Sequence, residues 1–368
     1  MALNYAQKNP RPIWREYRVD PSPALKKGYA HPKIFGIPQM GEGAVASGRA
    51  VDLGDSRILN GTLLVRSQRD LLASAADRSA VAQKPGDPRD LVEGFALDQI
   101  NFDMEQFSAF TREKIANIEN GFSEDEERHM AAMVADSVCK KIELYCSDFF
   151  TALAAESATA STTGGWTELD WQGATIGGNA IGTSTNAISS LHRAVMATKL
   201  AAGGSDINFM CMGQGVFERL QRDAELLGRI INGSNYAVQG EAVAPPSVAM
   251  EVLKQHLGIE EIVVASAAQA DVKRGASWTP ASDNSYLWPS DRIFIGNAGS
   301  MDVSVRNADR PRVLNDAGCF GAFYSKVYET DIGYEAKVGP QFLECAVDTW
   351  LSMVALVPQK GAIIHNMD

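Results

Sequence analysis

SEDEERHMAAMVADSVCKKIELYCSDFF, residues 123–150, is the segment from which the rest of the chain can be ordered. Ser123 is followed three residues later by Glu126, a capping box, and Asp125 and Glu127 add negative charge where a helix begins. Met130, Val134, Val138, Ile142, Tyr145 and Phe149 then recur at helical spacing and draw one apolar stripe. Arg128, Asp136, Lys140, Glu143 and Asp148 are expected to turn away from that stripe. A helix running to about residue 153 would span roughly 40 Å, longer than the usual helix of a compact enzyme domain. It reads as a structural spar and not as a reactive site.

Outward from this helix, the chain of 368 residues is 45% hydrophobic, enough for a sizeable core split over two subdomains. Its net charge of −11 argues against a dedicated nucleic-acid binder, which would neutralise phosphates with a basic surface. Charge is unevenly placed. Residues 1–34 hold seven basic and two acidic side chains, net +5, which leaves −16 for the remainder. A basic arm on an acidic body suits docking on an acidic neighbour, another copy of the chain included, although charge alone fits a solvated tail equally well. The opening MALNYAQKNPRPIWREYR lacks the apolar segment of a secretory signal, and no stretch approaches the about 18 apolar residues of a membrane span. Five scattered cysteines, Cys139, Cys146, Cys211, Cys319 and Cys345, fit a reducing interior and no disulfide framework. The expectation is a protein made in the cytosol with no membrane partner.

Residues 1–37 are interrupted by proline every few positions and predict an extended arm that needs a partner surface. Residues 38–112 contain a Gly-rich stretch, a strand at Thr62–Arg66, a short helical pattern at Asp70–Val81 and a strong turn signal, KPGDPRD, at Lys84–Asp90. A return segment with Phe102, Phe107 and Phe110 follows, so the region reads as a long excursion. After the spar and a Gly/Ser/Thr-rich connection, the pattern predicts helices at Asn186–Leu200, Val216–Ile231 and Ser247–Leu257, with buried strands at Asp206–Gly213 and Glu260–Ser266. The chain closes with strand patterns at Arg292–Ile295, Phe342–Val347, Leu351–Val357 and Ala362–His365. Such an alternation indicates an α/β or α+β subdomain.

Catalytic patterns do not emerge. No two of His31, His129, His192, His256 and His365 lie within four residues of each other, which excludes the local two-histidine metal spacings. There is no CxxC, no GxSxG and no P-loop, and the glycines of residues 177–182 do not form a dinucleotide fingerprint. Cys211 reads as a buried structural thiol in a strand rather than a nucleophile served by His192. Phe320, Phe323, Tyr324, Tyr328 and Tyr334 alternate with polar residues, which is strand patterning and not a nucleobase platform. No catalytic residue, cofactor or metal is expected, and the chain does not read as an enzyme.

Taken in order, these elements resemble the major capsid proteins of tailed bacteriophages, the Hong Kong 97-type fold, from about Pro32 to the C-terminus. AISSLHRAVMATKLAAGGSDINFMCMGQGVFERLQRD, residues 187–223, is similar to the helix–strand–helix opening of the family's axial domain. LKQHLGIEEIVVASA (253–267), with Gly258 ending the helix, resembles its second helix–strand unit. SYLWPSDRIFIGNAG (285–299) resembles the strand pair that follows, and VPQKGAIIHN (357–366) the closing strand, turn at Gly361 and last short strand. The resemblance implies an α+β fold with an N-terminal arm (1–37), an extension loop (38–112), a peripheral domain (113–184 and 331–368, spine helix 123–153) and an axial domain (185–330).

It further implies a shell protein that forms homo-pentamers and homo-hexamers around double-stranded DNA, assembled in the host cytoplasm and resident in the virion. Scaffolding, portal and decoration proteins are the implied partners, and packaged DNA would be contacted non-specifically. An encapsulin-like compartment holding enzyme cargo is the alternative. Arg11, Arg15, Arg18, Lys26 and Lys27 of the arm, Lys84 and Arg89 of the loop turn, and Asn232, Asn235 and Tyr236 are the expected inter-subunit contacts. The last three lie in a loop, 232–246, expected near the centre of a ring, where Gly233 and Gly240 permit different backbone settings. Some family members cross-link a lysine to an asparagine; Lys84, the sole lysine of 38–112, reads instead as a member of a charged turn.

Overall fold

A computed structural model describes residues 15–16, 28–36, 49–53, 60–66, 97–114, 126–157, 167–170, 175–176, 179–180, 187–233, 243–270, 277, 279, 284–299, 301, 313–314, 317–335 and 342–365. In chain order these form β1 (Arg15–Glu16), α1 (His31–Phe35), β2 (Ala50–Asp52), β3 (Asn60–Arg66), β4 (Leu97–Asp103), β5 (Glu105–Lys114) and α2 (Glu126–Ser157). Next come β6 (Thr167–Asp170), β7 (Thr175–Ile176), β8 (Asn179–Ala180), α3 (Ala187–Ala201), β9 (Phe209–Gly213), α4 (Gln214–Arg222), α5 (Ala224–Gly233) and α6 (Pro246–Leu257). The remainder is β10 (Glu261–Ala265), β11 (Ala268–Ala270), β12 (Asn284–Tyr286), β13 (Ile293–Gly296), β14 (Val313–Leu314), β15 (Phe320–Glu335), β16 (Phe342–Ala355) and β17 (Gly361–His365). The class is α+β.

Two five-stranded sheets organise the molecule. In one, β1, β15, β16 and β5 lie side by side, antiparallel throughout, and β2 pairs parallel with β15. In the other the order is β10-β9-β13-β17-β6. The second sheet is buried on both faces, and its alternation sorts the side chains. Phe209, Cys211, Val263, Phe294 and Ile363 face the spar α2, whereas Met210, Met212, Ile262, Ile293, Ile295 and Ile364 face α3 to α6. The antiparallel pair β3–β4, extended by β14, builds a third core over the far face of the first sheet, where Phe102 stacks on Phe323 at 4.0 Å.

The spar is 32 residues long, about 48 Å at 1.5 Å per residue. The expected start at Ser123 lies outside the described residues. Val134, Val138 and Ile142 are buried as the stripe requires, while Tyr145 and Phe149 are half-buried and Cys139, Cys146 and Phe150 join the buried face. At Phe150 the spar meets an aromatic knot that ties both sheets together. Its ring lies 4.5 Å from Phe294 and 5.4 Å from Phe320, and Phe320 lies 5.3 Å from Phe35.

Four sequence expectations are corrected. Glu143 does not face outward: it is fully buried, because four hydrogen-bond donors converge on it. The end of the arm is not free of its own subunit, since Tyr29, Ala30, His31, Ile34 and Phe35 are core residues and Pro32 opens a helical turn instead of breaking one. Residues 216–231 form two helices and not one. Asp223 adopts an extended backbone (ψ 133°) and its Oδ1 accepts from the N–H groups of Glu225 and Leu226 at 2.9 and 3.1 Å, ending α4 and capping α5. Finally, Gly361 is extended (φ −135°) and opens β17 opposite Gly296; the turn before it is a 3₁₀ turn at Pro358–Lys360.

Other expectations are met closely. α3, β9, α6 and β10 fall within a few residues of their predicted ranges, and Gly258 caps α6 in the left-handed region at φ 68°. The patterns at 342–347 and 351–357 merge into the single strand β16. The helical pattern at 70–81 and the turn at 84–90 lie outside the described residues.

Candidate functional site

Two kinds of feature stand out, a buried polar node and a set of exposed apolar side chains. The node is built where the arm root crosses the spar. One oxygen of the Glu143 carboxylate accepts from Ala30 N–H at 2.9 Å and from Trp288 Nε1 at 2.6 Å. The other accepts from His31 N–H at 3.0 Å and from His31 Nδ1 at 2.6 Å. Two turns earlier on the spar, Asp136 accepts from the Tyr29 hydroxyl at 2.8 Å, and burial with this carboxylate pushes the phenol up. The node joins residues 29–31, α2 and the segment before β13, so its chemistry is positional.

Cys146 and Cys211 flank the same region, and burial holds both thiols well above the ordinary range. A thiol kept protonated in an apolar core is a packing group. His192 is exposed on α3, on the opposite side of the second sheet from the face to which Cys211 points, so the two are not brought together. Among the described residues no group of three or more His, Cys, Asp or Glu side chains could hold a metal ion, and no helix is long and apolar enough to cross a membrane.

The outer surface of the helical layer carries an open pocket of about 430 Å³, lined by Ile188, Ser189, His192, Arg193, Arg229 and His256. α3 supplies four of these residues, α5 one and α6 one. Arg229 is fixed from two sides: it donates to Glu225 at 2.6 Å and to His256 Nδ1 at 2.9 Å. Ser189 donates to the same carboxylate through its N–H at 3.0 Å and its hydroxyl at 2.5 Å. Burial raises the Glu225 carboxyl, but these hydrogen bonds and the Arg229 charge outweigh it and hold the group below its usual value. Beside the pocket, Met196 is 53% and Leu200 82% exposed. On the first sheet Phe110 of β5 is 75% exposed. Met196 and Leu200 form one exposed apolar row on α3, whereas Phe110 stands alone on its strand.

Of the residues expected at inter-subunit contacts, Arg15 lies in β1, opposite Ile332 of β15, and Asn232 in the last turn of α5. Arg11, Arg18, Lys26, Lys27, Lys84, Arg89, Asn235 and Tyr236 lie outside the described residues. The pocket and the Met196–Leu200 row were missed by reading the sequence, where Met196 and Leu200 look like ordinary members of a helix stripe. The missed signal was the i, i+4 repeat His192, Met196, Leu200, which runs beside the core stripe Ile188, Leu191, Val195 and is too much apolar surface for one buried face.

No protein-family model matches the sequence, and no curated protein matches it. Solved structures do. A phage-related protein from Bordetella bronchiseptica RB50 is 12% identical, with 96% of this chain and 98% of that chain covered at a TM-score of 0.52. The capsid of cyanophage P-SCSP1u is 11% identical, with 91% and 93% covered at 0.49. A virus-like particle from Pyrococcus furiosus is 10% identical, with 94% and 95% covered at 0.46. The likeness to the Bordetella protein shows a common fold across nearly the whole of both chains.

Proposed function

We propose that this chain is the major capsid protein of a tailed bacteriophage, with a Hong Kong 97-type fold, and that its activity is self-assembly rather than catalysis. The observation that carries the reading is the shared fold with a phage-related protein over 96% of the chain. The order of elements agrees with it. Residues 1–37 act as the arm and 38–112 as the extension loop, in which β3 and β4 pair with each other while β2 and β5 join the first sheet. Residues 113–184 and 331–368 form the peripheral domain on the spar, and 185–330 the axial domain. Two structural facts qualify the division. β15 runs through residue 330, and β17 pairs with β13 in the second sheet. The two domains are therefore stitched together by shared strands.

Association follows from the surfaces. An exposed Phe110 and an exposed Leu200 gain apolar burial only against a neighbour. A basic arm and an acidic body give the contacts complementary charge, which sets register and encounter rate. Many weak contacts add up in a closed shell of pentamers and hexamers. An acidic wall would let packaged double-stranded DNA move without sticking, so DNA contact is non-specific. Scaffolding, portal and decoration proteins are the expected partners, the host cytoplasm the place of assembly and the virion the destination.

The test is electron microscopy and light scattering of the full chain expressed alone. Closed shells, tubes or rings of five or six support the reading. Enclosed nucleic acid favours the capsid, and enclosed enzyme would favour an encapsulin-like compartment instead. A discrete monomer that never assembles overturns both.

A further inference from the structure

On the helical layer an arginine stands between a carboxylate and an imidazole. Glu225 Oε1 accepts from Arg229 Nη2 at 2.6 Å, and on the other side Arg229 Nη1 lies 2.9 Å from His256 Nδ1. The same carboxylate receives the N–H and the hydroxyl of Ser189. One chain of hydrogen bonds therefore joins α3, α5 and α6. A guanidinium has five N–H donors and no acceptor, and it keeps its charge at any ordinary pH. The contact with His256 is thus an N–H donated to a free lone pair, which fixes the imidazole as neutral with its proton on Nε2. The buried node has the opposite polarity. There His31 Nδ1 meets a carboxylate, so a proton on that nitrogen is part of the contact.

We propose that Glu225, Arg229 and His256 form an acid-sensitive clasp between α5 and α6, closed while the imidazole is neutral and opened by a proton on His256 Nδ1. A proton taken up there from solvent occupies the lone pair that Arg229 uses and leaves two cations face to face. The groups that face His256 are few. From α3, His192 and Arg193 line the same pocket; from α5 come Arg229 and the Glu225 carboxylate that holds it. α4 and β10, which also pack on α6, contribute no residue to that lining. On α6 itself Lys254 and Glu251 are close in sequence, and Glu251 accepts from Gln255 at 3.0 Å. Arg229 stays with Glu225 when the clasp opens, so the link that breaks is the one from α5 to α6. α5 then loses this tie along with its last turn, which carries Asn232. The device belongs to the single subunit and does not depend on the self-assembly reading.

The test is hydrogen exchange by mass spectrometry on the full chain at about pH 7.5 and 5.5, wild type beside His256→Asn. The asparagine amide oxygen offers an acceptor near the place of Nδ1 and takes no proton. Imidazoles as a class change charge across this interval, whereas Glu225, its carboxyl held below the usual value, stays ionised. Comparing the two proteins at one pH removes the intrinsic pH dependence of exchange. At the higher pH, residues 224–233 and 246–257 should exchange alike in both. At the lower pH they should exchange about threefold or more faster in wild type, the effect of losing one net hydrogen bond. His192→Asn alters the neighbouring imidazole, leaves His256 in place and should respond to acid as wild type does. Equal exchange of wild type and His256→Asn in acid overturns the clasp, and so does an acid response that His192→Asn abolishes. If His256→Asn is already unprotected at the higher pH, wild type serves as its own reference. The exchange of α5 relative to that of β9 should then rise about threefold on acidification, and an unchanged ratio overturns the proposal.

Discussion

His31 Nδ1 lies 2.6 Å from Glu143 Oε2, with both side chains fully buried and their positions 112 apart in the chain. That contact fastens the root of the arm to the middle of the spar. The carboxylate is also the acceptor for two backbone N–H groups at a bend that has no ladder of its own, and for the Trp288 indole. A buried carboxylate is tolerable because every lone-pair direction is used. The node therefore holds residues 29–31 against the spar.

Glu143→Ala should destabilise the subunit by about 3–5 kcal/mol, because it strands a buried imidazole, an indole N–H and two backbone donors at once. Glu143→Gln, which keeps an acceptor oxygen, should cost clearly less. Urea unfolding midpoints of the two variants test this, and equal midpoints would mean that the node contributes little.

The node also shows why the sequence was legible in part. The helix period at 126–150 and the short apolar runs at Phe209–Gly213 and Ile293–Gly296 are local patterns, and each identifies its element. Helix periodicity puts Glu143 outside because a charged residue in a helix is exposed by default; its partners lie at 30–31 and 288, and pairing at that separation leaves no local trace. For the same reason the sequence puts residues 29–35 within the extended arm of 1–37, since proline content reports backbone preference and not the groove that Phe35 fills. The exposed apolar side chains are the hardest to read. An exposed Leu200 and a buried Leu191 are the same letter in the same helix until the fold decides which face is covered.

Asp223 divides what periodicity joins. Asp223→Ala should remove the cap of α5 and cost about 0.5–2 kcal/mol, with Asp223→Asn closer to wild type. Thermal unfolding of the three proteins would order them; an alanine variant as stable as wild type would show that the break persists without the cap.

Glu225 links stability to pH. Its carboxyl is held below its usual value in the folded chain, so its contribution is fully present above the unfolded value, about 4.3, and is lost as pH falls through the lower folded one. Wild type should therefore lose stability in acid more steeply than Glu225→Gln, and the two curves should converge below the folded value. Melting temperature against pH from 7 down to 3, on both proteins, reads the difference directly. Parallel curves would remove Glu225 from the account.

Gly318 and Gly299 let two backbones touch. A Cβ at Gly318 would sit 2.2 Å from Gly299 N and 2.9 Å from Asn297 O, both main-chain atoms that cannot swing aside. Gly318→Ala should cost at least the about 1–3 kcal/mol of an overpacked site. At Gly258 the same change meets nothing within 4 Å but must adopt φ 68°, which costs about 1–2 kcal/mol. The soluble yield and unfolding midpoint of Gly318→Ala should fall below those of Gly258→Ala.

Phe110 separates stability from assembly. It stands opposite Ala346 on β5, the outermost described strand of the first sheet, and turns away from the face where Phe107 packs 5.1 Å from Tyr145. Three quarters of its surface is in water. Lys141 Nζ donates to the Ser108 carbonyl at 2.6 Å and blunts this edge against indiscriminate strand pairing, which leaves the ring as the main apolar feature there. Phe110→Asp should therefore leave subunit unfolding within about 0.5 kcal/mol of wild type, as expected of a surface site. If the ring is covered by a neighbouring copy, the same variant should form particles only at a concentration about tenfold or more above wild type. Sedimentation across a concentration series, beside an unfolding curve, gives both numbers from one preparation. Unchanged assembly would show that this face looks out to solvent in the finished particle.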